Sequence, residues 1–136
     1  RPLQTTSQLA DVVVRAMGKV SKQRIHPATR TFQAIRMVVN NELPNLEKGL
    51  AQALKVLSPG GFLVVISYHS IEDRLVKNKL RDESKDCLCA PEMPACTCNH
   101  KATVKLLNRR IIRPERDEVN SNPRSRSARM RVAQRV

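Results

Sequence analysis

The chain has 136 residues and a net charge of +13, because 25 lysines and arginines outnumber 12 acidic residues. A charge this positive favours a polyanionic partner, of which nucleic acid is the commonest. With one Tyr, two Phe and no Trp, the chain has too few aromatic side chains for a base-stacking platform of the single-strand-binding kind. The sequence shows no charged-then-apolar leader and no apolar run long enough to span a bilayer. We therefore expect a soluble intracellular protein with no membrane partner.

Three helices are predicted in the first part of the chain. Residues 5–7 offer N-caps for the first helix, which Gly18 ends, and residues 19–24 form a basic connector. Pro27 suits the first position of a second helix, and Pro44 begins a third. In each of them, apolar residues recur at the spacing of one buried helix face.

The most informative segment follows the third helix. Turn residues at 58–61 precede an unbroken apolar run that begins at Phe62, within a strand predicted at 62–68. Such a run predicts a strand buried on both faces, as in parallel sheets. Ser70 then resembles an N-cap, and Asp73 completes a capping-box-like start for a helix that reaches about Arg81. A helix, a strand and a helix in this order predict an α/β fold.

The carboxyl end of this strand is the predicted functional edge, because ligands of open α/β sheets lie beyond the carboxyl ends of their strands. The candidates for a substrate pocket are Tyr68, His69 and Ser70. His69 either orients a substrate or transfers a proton, since imidazole titrates near neutrality, or it bonds a neighbouring loop. Ser70 fits a helix cap better than a nucleophile, because no nucleophile elbow surrounds it.

The last third of the chain contains two more predicted strands. One lies at 103–112, a charged loop follows at 114–127, and from Ala128 onward apolar residues alternate with arginines. This alternation predicts a half-exposed strand with an arginine-rich outer face. Arginine pairs bidentately with phosphates, which favours a clamp on an RNA backbone over a solvated charge run. The predicted clamp residues are Arg124, Arg126, Arg129 and Arg131.

A loop at 84–101 contains all four cysteines of the chain, as two C-x-C pairs. They are Cys87, Cys89, Cys96 and Cys98. In an intracellular protein, thiols grouped in a short loop favour a tetrahedral zinc site over disulfides. The spacing departs from the usual C-x-x-C, which leaves free thiols or a redox-sensitive loop as the alternative. A zinc ion held by four thiolates would be structural, since no coordination position stays open.

Three blocks resemble the bacterial and organellar small-subunit rRNA cytosine-N4-methyltransferases, the RsmH or MraW family. The blocks are HPATRTFQA at 26–34, VISYHSIEDR at 65–74 and NPRSRSA at 122–128. The resemblance is to the family's carboxy-terminal part only. It implies the carboxy-terminal part of a class I S-adenosylmethionine-dependent, Rossmann-like sheet. Residues 1–25 would end a helical insertion, and residues 26–136, with the cysteine-rich loop, would belong to the methyltransferase domain.

The activity that this resemblance implies is methyl transfer from S-adenosylmethionine to the exocyclic amine of a cytidine in the decoding region. The chain has four glycines and no glycine-rich strand–turn–helix loop. By the resemblance, the cofactor loop and the catalytic segment precede Arg1, so we expect no cofactor-binding residue here and no activity from this chain alone.

The resemblance also implies partners and a location. Small-subunit rRNA or the small ribosomal subunit is the expected partner, in the cytoplasm of a bacterium or in a eukaryotic organelle. The oligomeric state stays open. The alternative function is a non-enzymatic RNA-binding module with a zinc-stabilised cysteine loop, which would show no cofactor dependence.

Overall fold

The computed structural model describes residues 2–18, 25–93 and 95–136. They divide into two compact units, Arg1–Glu42 and Leu43–Val136. The basic connector predicted at 19–24 lies outside the described residues. The division between the units falls after Glu42 in the sequence, whereas the predicted domain boundary is at residue 25, and that assignment stays a prediction.

The first unit contains two helices, α1 (Thr6–Met17) and α2 (Thr29–Val39). A capping box begins α1, because the Gln8 N–H donates to Thr5 Oγ1 at 3.2 Å and the Gln8 side chain accepts from the Thr5 N–H. Gly18 ends it with φ 67°, a left-handed value that glycine adopts at little cost. The predicted caps of this helix are confirmed.

The second unit contains the sheet and its covering helices. Its elements are α3 (Glu42–Val56), β1 (Phe62–Ser67), α4 (Ser70–Glu83), β2 (Val104–Leu106), α5 (Arg116–Ser121), the 3-10 helix η1 (Pro123–Ser127) and β3 (Arg129–Arg135). The helix–strand–helix prediction is confirmed.

Two predictions for the last third of the chain were wrong. The strand predicted at 103–112 is reduced to β2 and a single bridge between Ile112 and Met130. The loop predicted at 114–127 contains α5 and η1. Asp117 and Glu118 lie in the first turn of α5, where acidic side chains favour the helix dipole. Pro123 starts η1 at a position that needs no N–H donor.

The sheet has the strand order β1-β3-β2. Because β3 is antiparallel to both neighbours, β1 and β2 point in the same direction. The register pairs Phe62 with Gln134 and Ser67 with Arg129. Helices α3 and α4 cover one face of the sheet, where the buried core lies. Its buried members are Leu50, Leu54, Val76, Leu80, Val104 and Ala133.

The opposite face of β1 is exposed, contrary to the prediction of a strand buried on both faces. Phe62, Val64 and Ile66 point to this face and each is more than half exposed. No element among the described residues of the second unit covers them. The apolar run therefore indicates a strand with two apolar faces, of which the described residues of the second unit cover one.

Two glycines join α3 to β1 in a tight turn. Gly60 has φ 80° and donates its N–H to the Arg135 carbonyl at 2.9 Å. A Cβ atom at Gly61 would stand 2.9 Å from both Leu57 Cδ1 and the Ser58 carbonyl oxygen. Glycine is required at both positions, and the turn fixes the start of β1 against the end of β3.

Candidate functional site

The carboxyl end of β1 is held by a reciprocal cap between His69 and Glu72. The N–H of Glu72 donates to His69 Nδ1 at 3.3 Å, and the N–H of Tyr68 donates to Glu72 Oε2 at 3.1 Å. His69 is therefore the N-cap of α4, and the predicted cap, Ser70, is its first helical residue. The capping-box pattern was placed one residue too late, because a histidine nitrogen can accept this bond as a serine oxygen does.

Two polar atoms at this strand end are buried without a hydrogen-bond partner in the described part of the chain: Ser67 Oγ and His69 Nε2. Glu72 Oε1 lies 3.1 Å from His69 Nε2 without forming a hydrogen bond. Buried polar groups are rarely left unpaired, so these two atoms are candidates to contact a substrate or another segment. Because Nδ1 accepts a bond, the neutral imidazole carries its proton on Nε2 and can donate it.

The three predicted pocket residues differ in their exposure to solvent. His69 is half-buried, whereas Tyr68 is 58% exposed and Ser70 is exposed. Ser67, which the sequence did not single out, is the buried member of this strand end. The alternation of side chains along β1 could have identified it, because Ser67 points to the same covered face as Leu63 and Val65.

A buried ion pair lies behind this edge. Arg131 Nε donates to Asp73 Oδ1 at 2.7 Å, and Arg131 Nη2 donates to Asp73 Oδ2 at 3.2 Å. Asp73 is 7% exposed and Arg131 is 8% exposed. Arg129 Nη1 adds a longer contact of 3.6 Å to Asp73 Oδ2. The pair fixes the first turn of α4 to the middle strand of the sheet.

The pKa of Asp73 reflects this pairing. Burial alone would raise the pKa, but the hydrogen bonds and charge of Arg131, and then those of Arg129, outweigh burial and hold the pKa below its ordinary value. Asp73 is therefore ionised at neutral pH.

The arginine-rich outer face predicted for the last strand was wrong. The arginines of β3 point toward the helices, and Met130, Val132 and Gln134 point to the open face. The overlooked signal is Asp73, which shares a helical stripe with Val76 and Leu80 and therefore faces the core. A buried acid on that stripe needs a cation, and β3 supplies it.

The other two predicted clamp residues lie on η1. Arg124 and Arg126 are exposed on either side of the buried Ser125, whose hydroxyl donates to the Asn122 carbonyl at 2.9 Å. Ser125 anchors the short helix, and the two guanidinium groups remain at the surface. Of the four predicted arginines, these two have the accessibility that phosphate contacts need, and the assignment of all four to RNA stays a prediction.

The four cysteines gather into one cluster. The Sγ atom of Cys87 lies 3.4 Å from that of Cys96 and 3.8 Å from that of Cys98. Cys96 Sγ lies 3.5 Å from Cys98 Sγ and 4.0 Å from Cys89 Sγ. All four sulfur atoms lie within 4.8 Å of one another, and the thiols are free. The cluster is thus close enough to share one metal ion.

The thiols differ in acidity because backbone donors point at some of them. The N–H groups of Leu88 and His100 lower the pKa of Cys98 to about 6. The N–H of Cys89 alone would lower the pKa of Cys87, but hydrogen bonds with the other thiols raise it to about 12. At neutral pH, Cys98 is therefore the first thiolate of the cluster.

No helix in the described ranges is long and apolar enough to cross a membrane. Comparison with known proteins matches the whole chain, residues 1–136, to a family described as the MraW methylase family.

Similar proteins include those named ribosomal RNA small subunit methyltransferase H. The chain is 56% identical to that of Dehalococcoides mccartyi over all of its length, covering 39% of the relative. It is 54% identical to that of Thermomicrobium roseum, covering 41%. It is 48% identical to that of Syntrophus aciditrophicus over 99% of this chain, covering 43% of the relative. The chain thus spans less than half the length of these relatives.

Proposed function

The chain belongs to the MraW methylase family, and from this membership we propose that it is the carboxy-terminal portion of an S-adenosylmethionine-dependent rRNA methyltransferase. The observation that carries the proposal is the family match over residues 1–136, joined by relatives that are named as small-subunit rRNA methyltransferases. We call the longer protein that contains this chain the parent protein.

The strand order supports a place for the chain within a class I methyltransferase sheet. We propose that β1 is the fifth strand of such a sheet and that β2 and β3 form its antiparallel hairpin of the sixth and seventh strands. The order β1-β3-β2, with β3 antiparallel to two strands that point the same way, fits such a sheet end. The uncovered apolar face of β1 also fits a sheet that is completed by other parts of the parent protein.

The proposed acceptor is the exocyclic N4 amine of a cytidine in the decoding region. Its lone pair is delocalised into the ring, so the amine is a poor nucleophile and gains most from being held in line with the methyl donor. The amine nitrogen would accept the methyl group, the demethylated cofactor would leave, and the proton released by the amine would pass to water. The base must leave its stack to reach such a site.

His69 is proposed to position the base. Its Nδ1 atom is engaged by the Glu72 N–H, and its Nε2 atom, which forms no hydrogen bond although Glu72 Oε1 lies 3.1 Å away, is proposed to donate to an acceptor on the base. Cytosine presents two such acceptors on the edge that carries its amine: N3, next to the amine, and O2, beyond N3. In this role His69 holds the base and does not remove the proton. Tyr68 and Ser70 flank it at the exposed rim of the proposed pocket.

S-adenosylmethionine supplies the methyl group in such a reaction. The chain contains four glycines and no glycine-rich loop of the kind that cradles a nucleotide. We therefore assign no described residue to cofactor binding, and the principal cofactor loop is proposed to lie elsewhere in the parent protein.

The proposed RNA contacts are made by the exposed guanidinium groups of Arg124 and Arg126, and the partly exposed Arg129 is a third candidate. A net charge of +13 supports a polyanionic partner. The proposed partner is the small ribosomal subunit or its rRNA, which would place a bacterial parent protein in the cytoplasm.

Radiolabelled methyl transfer to unmodified small ribosomal subunits tests the proposal, with this chain and the parent protein assayed side by side. We expect transfer by the parent protein only, and nucleoside mass spectrometry should locate the label on N4 of a cytidine. A label on another atom would correct the acceptor. Transfer by neither protein, with salt-sensitive RNA binding that ignores the cofactor, would replace the methyltransferase with the RNA-binding module.

A further inference from the structure

We propose that Cys87, Cys89, Cys96 and Cys98 bind one structural zinc ion that holds the loop between α4 and β2 in shape. The proposal concerns a site apart from the end of β1 and does not depend on the methyl transfer proposed above.

The sulfur positions fit a tetrahedral ion. With metal–sulfur distances of about 2.3 Å, tetrahedral geometry places the sulfur atoms about 3.8 Å apart. The four contacts between these thiols measure 3.4, 3.5, 3.8 and 4.0 Å. They bracket the tetrahedral value and exceed the disulfide length of about 2.05 Å. The thiols thus surround a common centre.

Backbone donors point at the sulfur atoms from outside the cluster. The N–H of Leu88 donates to Cys98 Sγ at 3.4 Å, and the N–H of Cys89 donates to Cys87 Sγ at 3.4 Å. Asn99, in the left-handed conformation with φ 51°, turns the chain directly after the last cysteine. Such donors orient the ligands of a metal and stabilise the negative charge of thiolates.

The ligand set is four sulfurs, because the potential ligand atoms that lie within 4.8 Å of one another in this loop are the four Sγ atoms, and His100 is not in that group. His100 Nε2 lies 3.1 Å from the Asp82 carbonyl oxygen at the end of α4, where the neutral ring donates. Four thiolates in tetrahedral order are typical of zinc or of a single iron, and hard cations such as Mg²⁺ prefer oxygen. Zinc is the choice for a structural site, since it has no redox chemistry.

The loop needs such a ligand because it has no core of its own. None of the described residues of 84–101 is buried, and its large apolar residues, Leu88 and Met93, are each about half exposed. Hydrogen bonds close its base: the Thr103 N–H donates to the Glu83 carbonyl at 2.8 Å, and the Ala102 N–H donates to Asp86 Oδ1 at 3.2 Å. Zinc would fix the rest of the loop, as it does in small domains without a sufficient core.

Zinc content is the first test, measured by plasma mass spectrometry on the parent protein purified under reducing conditions. We expect about one zinc per chain that is lost in Cys96→Ser. Two controls should keep it: Thr97→Ala, which lies between two ligands, and His100→Gln, which removes the nearby imidazole. Loss in His100→Gln would replace the four-sulfur set with one that includes nitrogen. Absence of zinc from the unmodified parent protein, or its retention in Cys96→Ser, would overturn the proposal.

A second measurement uses the unmodified protein, so that its result does not depend on whether a variant folds. A mercurial reagent that modifies thiols should release zinc from the unmodified protein in step with the loss of the four thiols of this loop. Limited proteolysis after release should then cut within residues 84–101 and leave the rest of the second unit intact. Unchanged protection of the loop after zinc release would overturn the structural role.

Discussion

The two ends of α4 carry polar clusters of opposite kinds. At its amino end, Asp73 is buried, and both of its oxygens are paired with arginines of β3. At its carboxyl end, the following loop holds four free thiols in mutual contact at the surface. The carboxylate of Asp73 has its partners within the fold, whereas the four thiols contact one another and would gain stability from a bound metal ion. The clusters should therefore respond differently to substitution, acid and metal removal.

Removing the carboxylate of Asp73 should produce the largest effect. Asp73→Ala leaves the Arg131 guanidinium buried without its partner, and we expect a loss of about 3–5 kcal/mol in the free energy of unfolding. Urea denaturation of the parent protein measures it. The control Asp117→Ala, an exposed acid on α5, should change stability by less than about 0.5 kcal/mol. A loss at Asp73 no larger than that of the control would show that the pair does not stabilise the fold.

Lowering the pH should gradually remove the contribution of the Asp73 carboxylate to the free energy of unfolding. Because the pKa of Asp73 in the folded state lies below its ordinary value of 3.8, the contribution is fully present above that value. It is lost as the pH falls through the lowered folded-state pKa. The difference in unfolding free energy between the unmodified protein and Asp73→Asn should thus be constant near neutrality and shrink only below 3.8. A difference that shrinks near neutrality would point to another group.

The exposed arginines of η1 should affect binding and leave stability unchanged. The double variant Arg124→Ala and Arg126→Ala removes two proposed phosphate contacts. The slope of the logarithm of the RNA-binding constant against the logarithm of salt concentration should therefore fall by about 1.4–1.8. The matched control, Lys48→Ala with Lys55→Ala, removes two exposed charges from α3. An equal loss of slope in both variants would indicate nonspecific attraction.

A modest loss of stability should separate two roles of His69. His69→Ala loses the N-cap of α4, which costs about 1 kcal/mol, whereas His69→Asn keeps a side chain that caps well. Neither variant has the Nε2–H, so both should lose methyl transfer by the parent protein. Recovery of activity together with stability in His69→Asn would reduce the role of His69 to capping.

The local elements were predictable because their signals lie close together in sequence. Thr5 and Gly18 mark the ends of α1, and the two glycines before Phe62 mark the start of β1. Strand β2 and the helices after Pro114 were not, since short elements depend on contacts made across the sheet. Periodicity showed that arginines alternate with apolar residues in β3, but both faces of β1 are apolar, so the pattern could not say which face the helices cover.

In the candidate site, too, features that are contiguous in sequence were predictable and features that depend on distant contacts were not. The sequence placed His69 at the end of β1 and grouped the four cysteines in one loop, because both sets are contiguous. It missed the bond between Asp73 and Arg131, which lie 58 residues apart. It also missed the buried hydroxyl of Ser67, which depends on strand parity. A systematic comparison of acidic positions on buried helix stripes with basic positions on strands would have proposed the ion pair.

The central position of β3 has a consequence for how the second unit folds during synthesis. The strand that is made last bridges the two that are made earlier, pairing with β1 from Phe62 and with β2 from Val104. Until residues 129–135 leave the ribosome, neither earlier strand has its neighbour in this sheet. Such long sequence separations slow folding. A translation product that stops before Arg129 would therefore expose two unpaired strand edges, which makes it a substrate for chaperones and proteases.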